Sequence, residues 1–272
     1  MLKPRTILLA AVGAALVAAA PAAAAPGWAP AASAPIHPGV MTNSDSGQCT
    51  ANFVYFDPSD AIYIGQAAHC TGTGGSTDTD GCQAGSLPIG SPVHVDGATE
   101  PGTLAYNSWL TMQSKGEANA DTCAYNDLAL VKLDPADSGK VNPSIPFWGG
   151  PTGLRTTDTA VGDKVLSYGN SSLRQGITLL SPKEGTSIGT TGNGWSHEVY
   201  TVSPGIPGDS GSAFIDGDGD AFGVLSTLQL APKPAANGVG DLSRELAYLN
   251  ANAGFSVQLA QGTEAFRGPL LP

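Results

Sequence analysis

The sequence has few charged residues and especially few basic ones. Charged side chains make up 13% of its 272 residues, and 12 lysines and arginines stand against 23 aspartates and glutamates. The net charge of −11 argues against a nucleic-acid partner, because phosphate binding needs basic patches. Low charge combined with 36 glycines and 21 prolines favours many turns and short strands over long solvated helices.

Residues at metal-ligand spacing are also missing. There is no Cys-x-x-Cys pair, and His37 and His94 have no partner at ligand spacing, so we expect no metal site and no cofactor. Cysteine itself is scarce, with four residues that all lie in the first half: Cys49, Cys70, Cys82 and Cys123. An even number allows two disulfides in three pairings, which fits an exported protein.

Long apolar runs are absent except at the amino terminus. Lys3 and Arg5 precede an apolar run at 7–20, and alanines follow. This order is typical of a signal peptide over residues 1–24, cleaved after Ala24, with an uncleaved anchor as the alternative. We therefore expect a secreted mature protein without stable membrane association. It begins with an Ala/Pro-rich lead-in at 25–40.

Short β-rich segments separated by turn residues fill the rest of the chain. A crowd of proline and glycine at 143–153 marks a link between two halves, and Asp241 can cap a helix near the end. The acidic segment 216–220 favours a hairpin turn over a calcium loop, since no bidentate glutamate follows at the right distance. The predicted strands are 52–56, 61–64, 92–96, 103–106, 128–133, 164–168, 177–180, 198–202, 213–215 and 221–225. This pattern predicts an all-β sandwich or barrel.

Three residues could together perform nucleophilic catalysis. Ser210 lies between glycines in a predicted turn, His69 follows a predicted strand, and Asp127 precedes one. A serine needs a base to take its proton, and the base needs a group to orient it. Each residue alone has an ordinary interpretation: a Gly-Asp-Ser turn, a packed histidine and a capping carboxylate. Their joint occurrence favours a catalytic triad.

The segments around these residues resemble those of the chymotrypsin/trypsin-like serine peptidases. The segments are Ala67-Ala68-His69-Cys70, Asp127-Leu128-Ala129-Leu130 and Gly208-Asp209-Ser210-Gly211, in the family's order of His, Asp and Ser. The resemblance implies two six-stranded antiparallel β-barrels, at 41–145 and 146–272, the second with a carboxyl-terminal helix and tail. It also implies that Cys49 pairs with Cys70 and Cys82 with Cys123.

The same resemblance implies a secreted serine endopeptidase that acts on peptide or protein substrates. The N–H groups of Gly208 and Ser210 would form an oxyanion hole. Ser226 would support Asp127, and Ser226, Thr227 and Leu228 would pair with an extended substrate. We expect a monomer. A catalytically silent, protein-binding relative and an esterase are the alternatives.

Pro204 lies six residues before Ser210, where the family has the base of its primary specificity pocket. Trypsin-like enzymes have aspartate there, so cleavage after basic residues is not expected. Leu228 occupies a position where many relatives have glycine, which predicts a preference for small or medium apolar side chains or a partly closed pocket.

The chain departs from the family at the activation step. No Arg-Ile-Val-Gly-Gly sequence is present to release an amino terminus that would pair with Asp209. Some bacterial relatives use an internal arginine instead, for which Arg155 and Arg174 are the candidates. Ser212 also replaces the glycine that usually follows Ser-Gly.

Overall fold

The computed structural model describes residues 25–75, 79–229 and 232–271. The predicted signal peptide, residues 1–24, lies outside the described residues. Within the described ranges, no helix is long and apolar enough to cross a membrane.

Strands dominate both halves of the chain. The strands of the first half are β1 (Met41–Ser44), β2 (Gly47–Thr50), β3 (Val54–Phe56), β4 (Ile62–Ala67), β5 (Pro92–Val95), β6 (Gly102–Asn107) and β7 (Leu128–Lys132). Those of the second half are β8 (Lys164–Tyr168), β9 (Pro182–Thr191), β10 (Ser196–Thr201), β11 (Ala213–Asp216), β12 (Ala221–Leu228), β13 (Asn237–Asp241) and β14 (Gln258–Leu259).

Helices are short and connect the strands. The α-helices are α1 (Ser108–Lys115), α2 (Ala120–Tyr125) and α3 (Leu242–Asn252). Short 3₁₀ segments occur at Ala68–Thr71, Pro135–Lys140, Ser172–Arg174, Thr178–Leu180 and Gly192–Gly194. The predicted cap of the last helix is confirmed, because the Asp241 side chain accepts from the backbone N–H of Arg244 at 2.8 Å.

The strands form two antiparallel sheets. The first has eight strands in the order β14-β3-β4-β7-β6-β5-β1-β2, and the second is a closed barrel in the order β10-β13-β12-β11-β8-β9. The all-β class with two packed β units is therefore confirmed. The first sheet exceeds the expected six strands because the first half itself contributes seven, β1 to β7, and β14, from the carboxyl-terminal end, pairs with β3 at its edge.

One predicted strand is wrong. Residues 178–180 form a 3₁₀ turn rather than part of a strand, and Leu179 and Leu180 are exposed. The strand of this region is β9, which follows directly. Its apolar positions are few and glycine, threonine and serine fill most of it, so no alternation of apolar residues marks it in the sequence.

The buried apolar residues form three clusters. One lies within the first sheet and one within the barrel. The third joins the two halves, since it contains Tyr55 and Leu128 of the first together with Leu166 and Leu249 of the second. This shared core fixes the relative position of the strand ends that carry the predicted site.

Both disulfides lie in the first half and have the pairing that the resemblance implies. Cys49 is bonded to Cys70, and Cys82 is bonded to Cys123. The first joins β2 to the turn that contains His69, and the second joins the segment before β5 to α2.

Candidate active site

His69 lies in the 3₁₀ turn that follows β4. The strand is buried along its whole length, and the chain leaves it at Ala67. The Cys49–Cys70 disulfide fixes the next residue, and the N–H of Ala68 donates to the main-chain oxygen of Asp127 at 2.9 Å. The main chain directly before the histidine is thus hydrogen-bonded to that of the predicted aspartate.

Asp127 holds His69 through both of its carboxylate oxygens. Oδ1 accepts from the backbone N–H of His69 at 2.9 Å, and Oδ2 lies 2.7 Å from its Nδ1. The hydroxyl of Ser226, on β12, donates to the same Oδ2 at 2.6 Å. With Nδ1 paired to the carboxylate, the second ring nitrogen of His69 is the one that can exchange a proton with a reacting group.

The environment changes the proton affinity of His69. Desolvation by burial lowers its pKa, but the charge of Asp127 and the hydrogen bond to it outweigh that effect. The net result is a pKa above the ordinary value for histidine, so the charged imidazolium is stabilised by the aspartate.

Ser210 lies at the end of a tight turn between β10 and β11. Gly208 and Gly211 have φ values of 95° and 86°, in the left-handed region that favours glycine. A Cβ on Gly211 would lie 2.5 Å from the main-chain oxygen of Thr50, so the turn also packs too closely against the first half for a side chain there. Ser210 lines one cleft with His69 and Asp127.

The carbonyl groups of this turn show where its N–H groups point. The Pro207 oxygen accepts from the Ser171 hydroxyl at 2.6 Å, and the Asp209 oxygen accepts from the N–H of Ser212 at 3.0 Å. In a trans peptide the N–H points opposite to the carbonyl. The N–H groups of Gly208 and Ser210 therefore point away from Ser171 and Ser212, and neither has an acceptor among the described residues.

The first half of the chain clamps the same turn. The Thr50 hydroxyl and the Gln48 amide, both on β2, donate to the Gly208 oxygen at 2.7 and 3.0 Å. The Thr50 N–H donates to the Ser210 oxygen at 2.8 Å. Sequence reasoning missed both side chains, because they lie about 160 residues away from their partners.

Asp209 is buried and neutralised inside the protein. Arg174 donates to both of its carboxylate oxygens, and the Lys183 ammonium lies 3.2 Å from Oδ2. Arg174 is thus the internal partner among the two candidates. Arg155 instead pairs with Asp163 and Asp216.

Lys183 is a second buried cation that the sequence analysis did not identify. Its side chain has no exposed surface, and it donates to the main-chain oxygens of Ser203 and Pro204 at 3.1 and 3.0 Å. Burial lowers its pKa, the charge of Asp209 opposes this, and Arg174 adds to the lowering. No local pattern distinguishes this lysine from an exposed strand residue.

The cleft has a volume of about 850 Å³ and separates the two halves. Of the predicted substrate-binding residues, Ser226, Thr227 and Leu228 line it. Pro204 is not among its described lining residues, and Lys183 holds its carbonyl instead. The lining residues that the sequence did not predict include Ile206 and the buried Asn237, whose side-chain oxygen accepts from the N–H of Gly205 at 2.9 Å.

Comparison of the structure with solved structures gives strong matches to bacterial proteases. Protease A of Thermobifida fusca is 16% identical, with a TM-score of 0.52, and the match covers 84% of this chain and 99% of that one. The fold is that of the chymotrypsin-like serine proteases. A Nocardiopsis protease matches at 16% identity and a TM-score of 0.50, over 82% of this chain and 98% of that one.

A third chymotrypsin-like match is a glutamic-acid-specific serine protease that uses a histidine triad in substrate binding. It is 15% identical, with a TM-score of 0.53, over 83% of this chain and the whole of that one. No family model and no curated protein matches the sequence. The likeness is therefore one of structure, at low sequence identity.

The arrangement has the parts needed for acyl transfer. A hydroxyl, an imidazole held by a carboxylate, and two N–H groups on one turn border the same cleft. Such a set can form a covalent acyl intermediate and stabilise the oxyanion that precedes it.

Proposed function

We propose that the protein is a secreted serine endopeptidase that cleaves peptide or protein substrates through an acyl-enzyme on Ser210. The observation that carries this proposal is the contact of Asp127 with both the N–H and the Nδ1 of His69, in one cleft with Ser210. The chymotrypsin-like fold supports it.

In the proposed mechanism, His69 takes the Ser210 hydroxyl proton while the serine oxygen attacks the substrate carbonyl carbon. The N–H groups of Gly208 and Ser210 stabilise the oxyanion. The protonated His69 then gives its proton to the leaving amine as the peptide bond breaks. His69 then takes a proton from a water molecule as the water attacks the ester carbon. It returns this proton to the Ser210 oxygen as the ester bond breaks, which releases the acid and restores the Ser210 hydroxyl.

The proposed specificity excludes basic side chains at the primary pocket. Asp127 is the only carboxylate among the described lining residues of the cleft, and it is already paired with His69 and Ser226. Apolar side chains of Ile206, Leu225 and Leu228 also line the cleft. We therefore propose a preference for small or medium apolar residues, with Leu228 restricting the pocket.

A glutamate preference of the histidine-triad kind has no support here. His69 is the only histidine among the described residues that line the cleft, and it faces Asp127. The described residues that line the cleft therefore do not supply three histidines to bind a substrate carboxylate.

The remaining parts of the proposal concern the mature chain. We propose cleavage of a signal peptide after Ala24, secretion as a monomer, and a division into halves at 41–145 and 146–272. Two disulfides in the first half support an oxidising compartment.

A fluorophosphonate probe tests the proposed nucleophile. We expect the wild-type protein to be labelled and to hydrolyse a peptide library after apolar residues, and Ser210→Ala to be unlabelled. Ser212→Ala is the matched control, because it removes a hydroxyl from the same turn. That hydroxyl donates to the carbonyl of Asp209. It should remain labelled. An unlabelled wild type would favour a silent, protein-binding relative, and cleavage mainly after arginine or lysine would refute the proposed specificity.

A further inference from the structure

Glu245 is a buried acid that contacts the main chain of the catalytic aspartate. It lies in the first turn of α3, and its side chain has no exposed surface. Its Oε1 accepts from the backbone N–H of Asp127 at 2.9 Å, across 118 residues of sequence. The mechanism described above does not use this residue.

The surrounding structure fixes the position of this side chain. A Cβ on Gly240 would lie 2.5 Å from Oε1 of Glu245, so the main chain of β13 packs directly against the carboxyl group. The helix that carries it is capped by Asp241. Glu245 therefore has little freedom to leave Asp127.

The groups around Glu245 favour its neutral form. Desolvation by burial raises its pKa well above the ordinary range, and the charges of Asp127 and Asp241 raise it further, although the hydrogen bond from Asp127 opposes this. The other titratable groups that interact with it are Tyr55 of β3 and Tyr106 of β6. A neutral carboxyl can accept a hydrogen bond without placing a second negative charge beside the triad.

We propose that Glu245 is a positioning residue for the active site, which holds the backbone of Asp127 so that its carboxylate keeps His69 oriented. This inference rests on the proposed function of the site. It assigns helix α3, from the second half, a part in fixing a catalytic group of the first half.

The main-chain hydrogen bonds of Asp127 explain why the Glu245 acceptor matters. Its oxygen accepts from the N–H of Ala68, and its N–H donates to Glu245, so both polar groups of the residue are held. Loss of the acceptor leaves a buried N–H unpaired, which is unfavourable unless the chain shifts. A shift of Asp127 moves both oxygens that contact His69, and misplacement of a catalytic group by about 1 Å can cost about 100-fold in rate.

Three variants of the full mature chain test this proposal. Glu245→Gln keeps an oxygen acceptor in a neutral side chain, and Glu245→Leu removes it. Glu184→Leu is the matched control, since Glu184 is also buried and accepts from two backbone N–H groups, those of Leu270 and Leu271, on another part of the barrel. Measurements are kcat and KM per labelled active site, the pH profile, thermal unfolding, and the NMR signal of the His69 Nδ1 proton.

We expect Glu245→Gln to keep kcat within about threefold of wild type and Glu245→Leu to lower it by about tenfold or more, with KM little changed. The Nδ1 proton signal should be retained in the first and altered in the second. Glu184→Leu should lower thermal stability without changing kcat. The proposal is overturned if Glu245→Leu retains kcat per active site, or if Glu245→Gln is as impaired as Glu245→Leu.

The NMR signal separates failure of this inference from failure of the proposed function. An unlabelled wild type would refute the function, and the effect of Glu245 on the His69–Asp127 contact would still be read from the proton signal. An unchanged signal in folded Glu245→Leu would refute the positioning role.

Discussion

At the scale of single residues, His69 is held by Asp127 on one side and open to the cleft on the other. Its side chain is 28% exposed, whereas that of Asp127 is 6% exposed. The same aspartate that orients the ring also raises its pKa. Orientation and proton affinity of the base thus have one origin.

The pH dependence of activity follows from this pair. In the proposed mechanism the neutral imidazole is the base, and its pKa is raised, so activity should be lost as pH falls through a value above the ordinary histidine pKa of about 6.5. We expect the acid limb of kcat/KM at that higher pH.

Asp127→Asn should lower the pKa of His69 and reduce kcat by about 10⁴-fold. A pH–rate profile and an NMR titration of His69 measure these effects. An acid limb at or below the ordinary histidine pKa in the wild type, or an unshifted His69 in the variant, would contradict the assignment.

His197 shows that similar contacts alone do not make a site. Its ring nitrogens lie 3.0 Å from the hydroxyl of Thr159 and 3.0 Å from Oδ2 of Asp241. These are the same kinds of groups as in the candidate triad, but His197 has no exposed surface. No substrate can reach it, and its contacts stabilise the barrel and the beginning of α3.

At the scale of elements, the loop between β8 and β9 and the strand β9 support the turn that carries Ser210. Ser171 holds the Pro207 carbonyl, and Arg174 and Lys183 hold Asp209. The turn is therefore organised by cations within the folded chain. No released amino terminus is needed to neutralise Asp209.

The two cations should differ in importance. Arg174 contacts both oxygens of Asp209, whereas Lys183 makes one long contact and is itself disfavoured by burial. We expect Arg174→Leu to lower stability by about 3–5 kcal/mol and kcat/KM by at least about 100-fold, because it leaves a buried carboxylate poorly paired and the oxyanion donors misplaced. Lys183→Met should lower kcat/KM by about tenfold or less.

The fluorophosphonate labelling rate and thermal unfolding measure both effects. Arg155→Leu is the control, since Arg155 pairs with acids away from the cleft. Equal losses in the Arg174 and Lys183 variants would show that the single ammonium contact is as important as the bidentate one.

The elements that the sequence predicts are those with regular apolar patterns. The strand after Asp127 and the helix after Asp241 follow from alternation and from a capping residue with three leucines on one face. β9 has no such pattern because its burial is irregular, and 177–180 resembles a strand in sequence because nothing in it marks its apolar residues as exposed.

The candidate site likewise has residues that the sequence predicts and residues that it does not. His69, Asp127 and Ser210 are each marked by neighbouring residues, so a local segment predicts them. Their supports come from distant parts of the chain: Glu245 is 118 residues from Asp127, and Gln48 is 160 residues from Gly208. Only the packing of the two halves brings these residues together, and no local pattern encodes that contact.

At the scale of the whole molecule, the segment after α3 returns to bind both halves. β14 pairs with β3, and Val257 and Ala260 are buried. The N–H of Gly150 donates to the main-chain oxygen of Glu264 at 3.1 Å, and the N–H of Gly262 donates to the main-chain oxygen of Pro151 at 2.8 Å. The segment thus covers the link between the halves, where proline and glycine leave few strand hydrogen bonds.

Removing this segment should weaken the cleft through the link. Deletion of 256–272 exposes β3 and the apolar surface under Val257 and Ala260, so we expect a loss of about 3 kcal/mol or more. At this chain length, that corresponds to a fall in Tm of about 6 °C or more. Deletion of 270–272 is the control, because it removes exposed leucines together with the two N–H groups that donate to Glu184. Thermal unfolding and the labelling rate of Ser210 are the measurements. Since the halves meet at the candidate triad, labelling should fall together with stability in the longer deletion. Unchanged labelling at a much lower Tm would show that the link does not control the cleft.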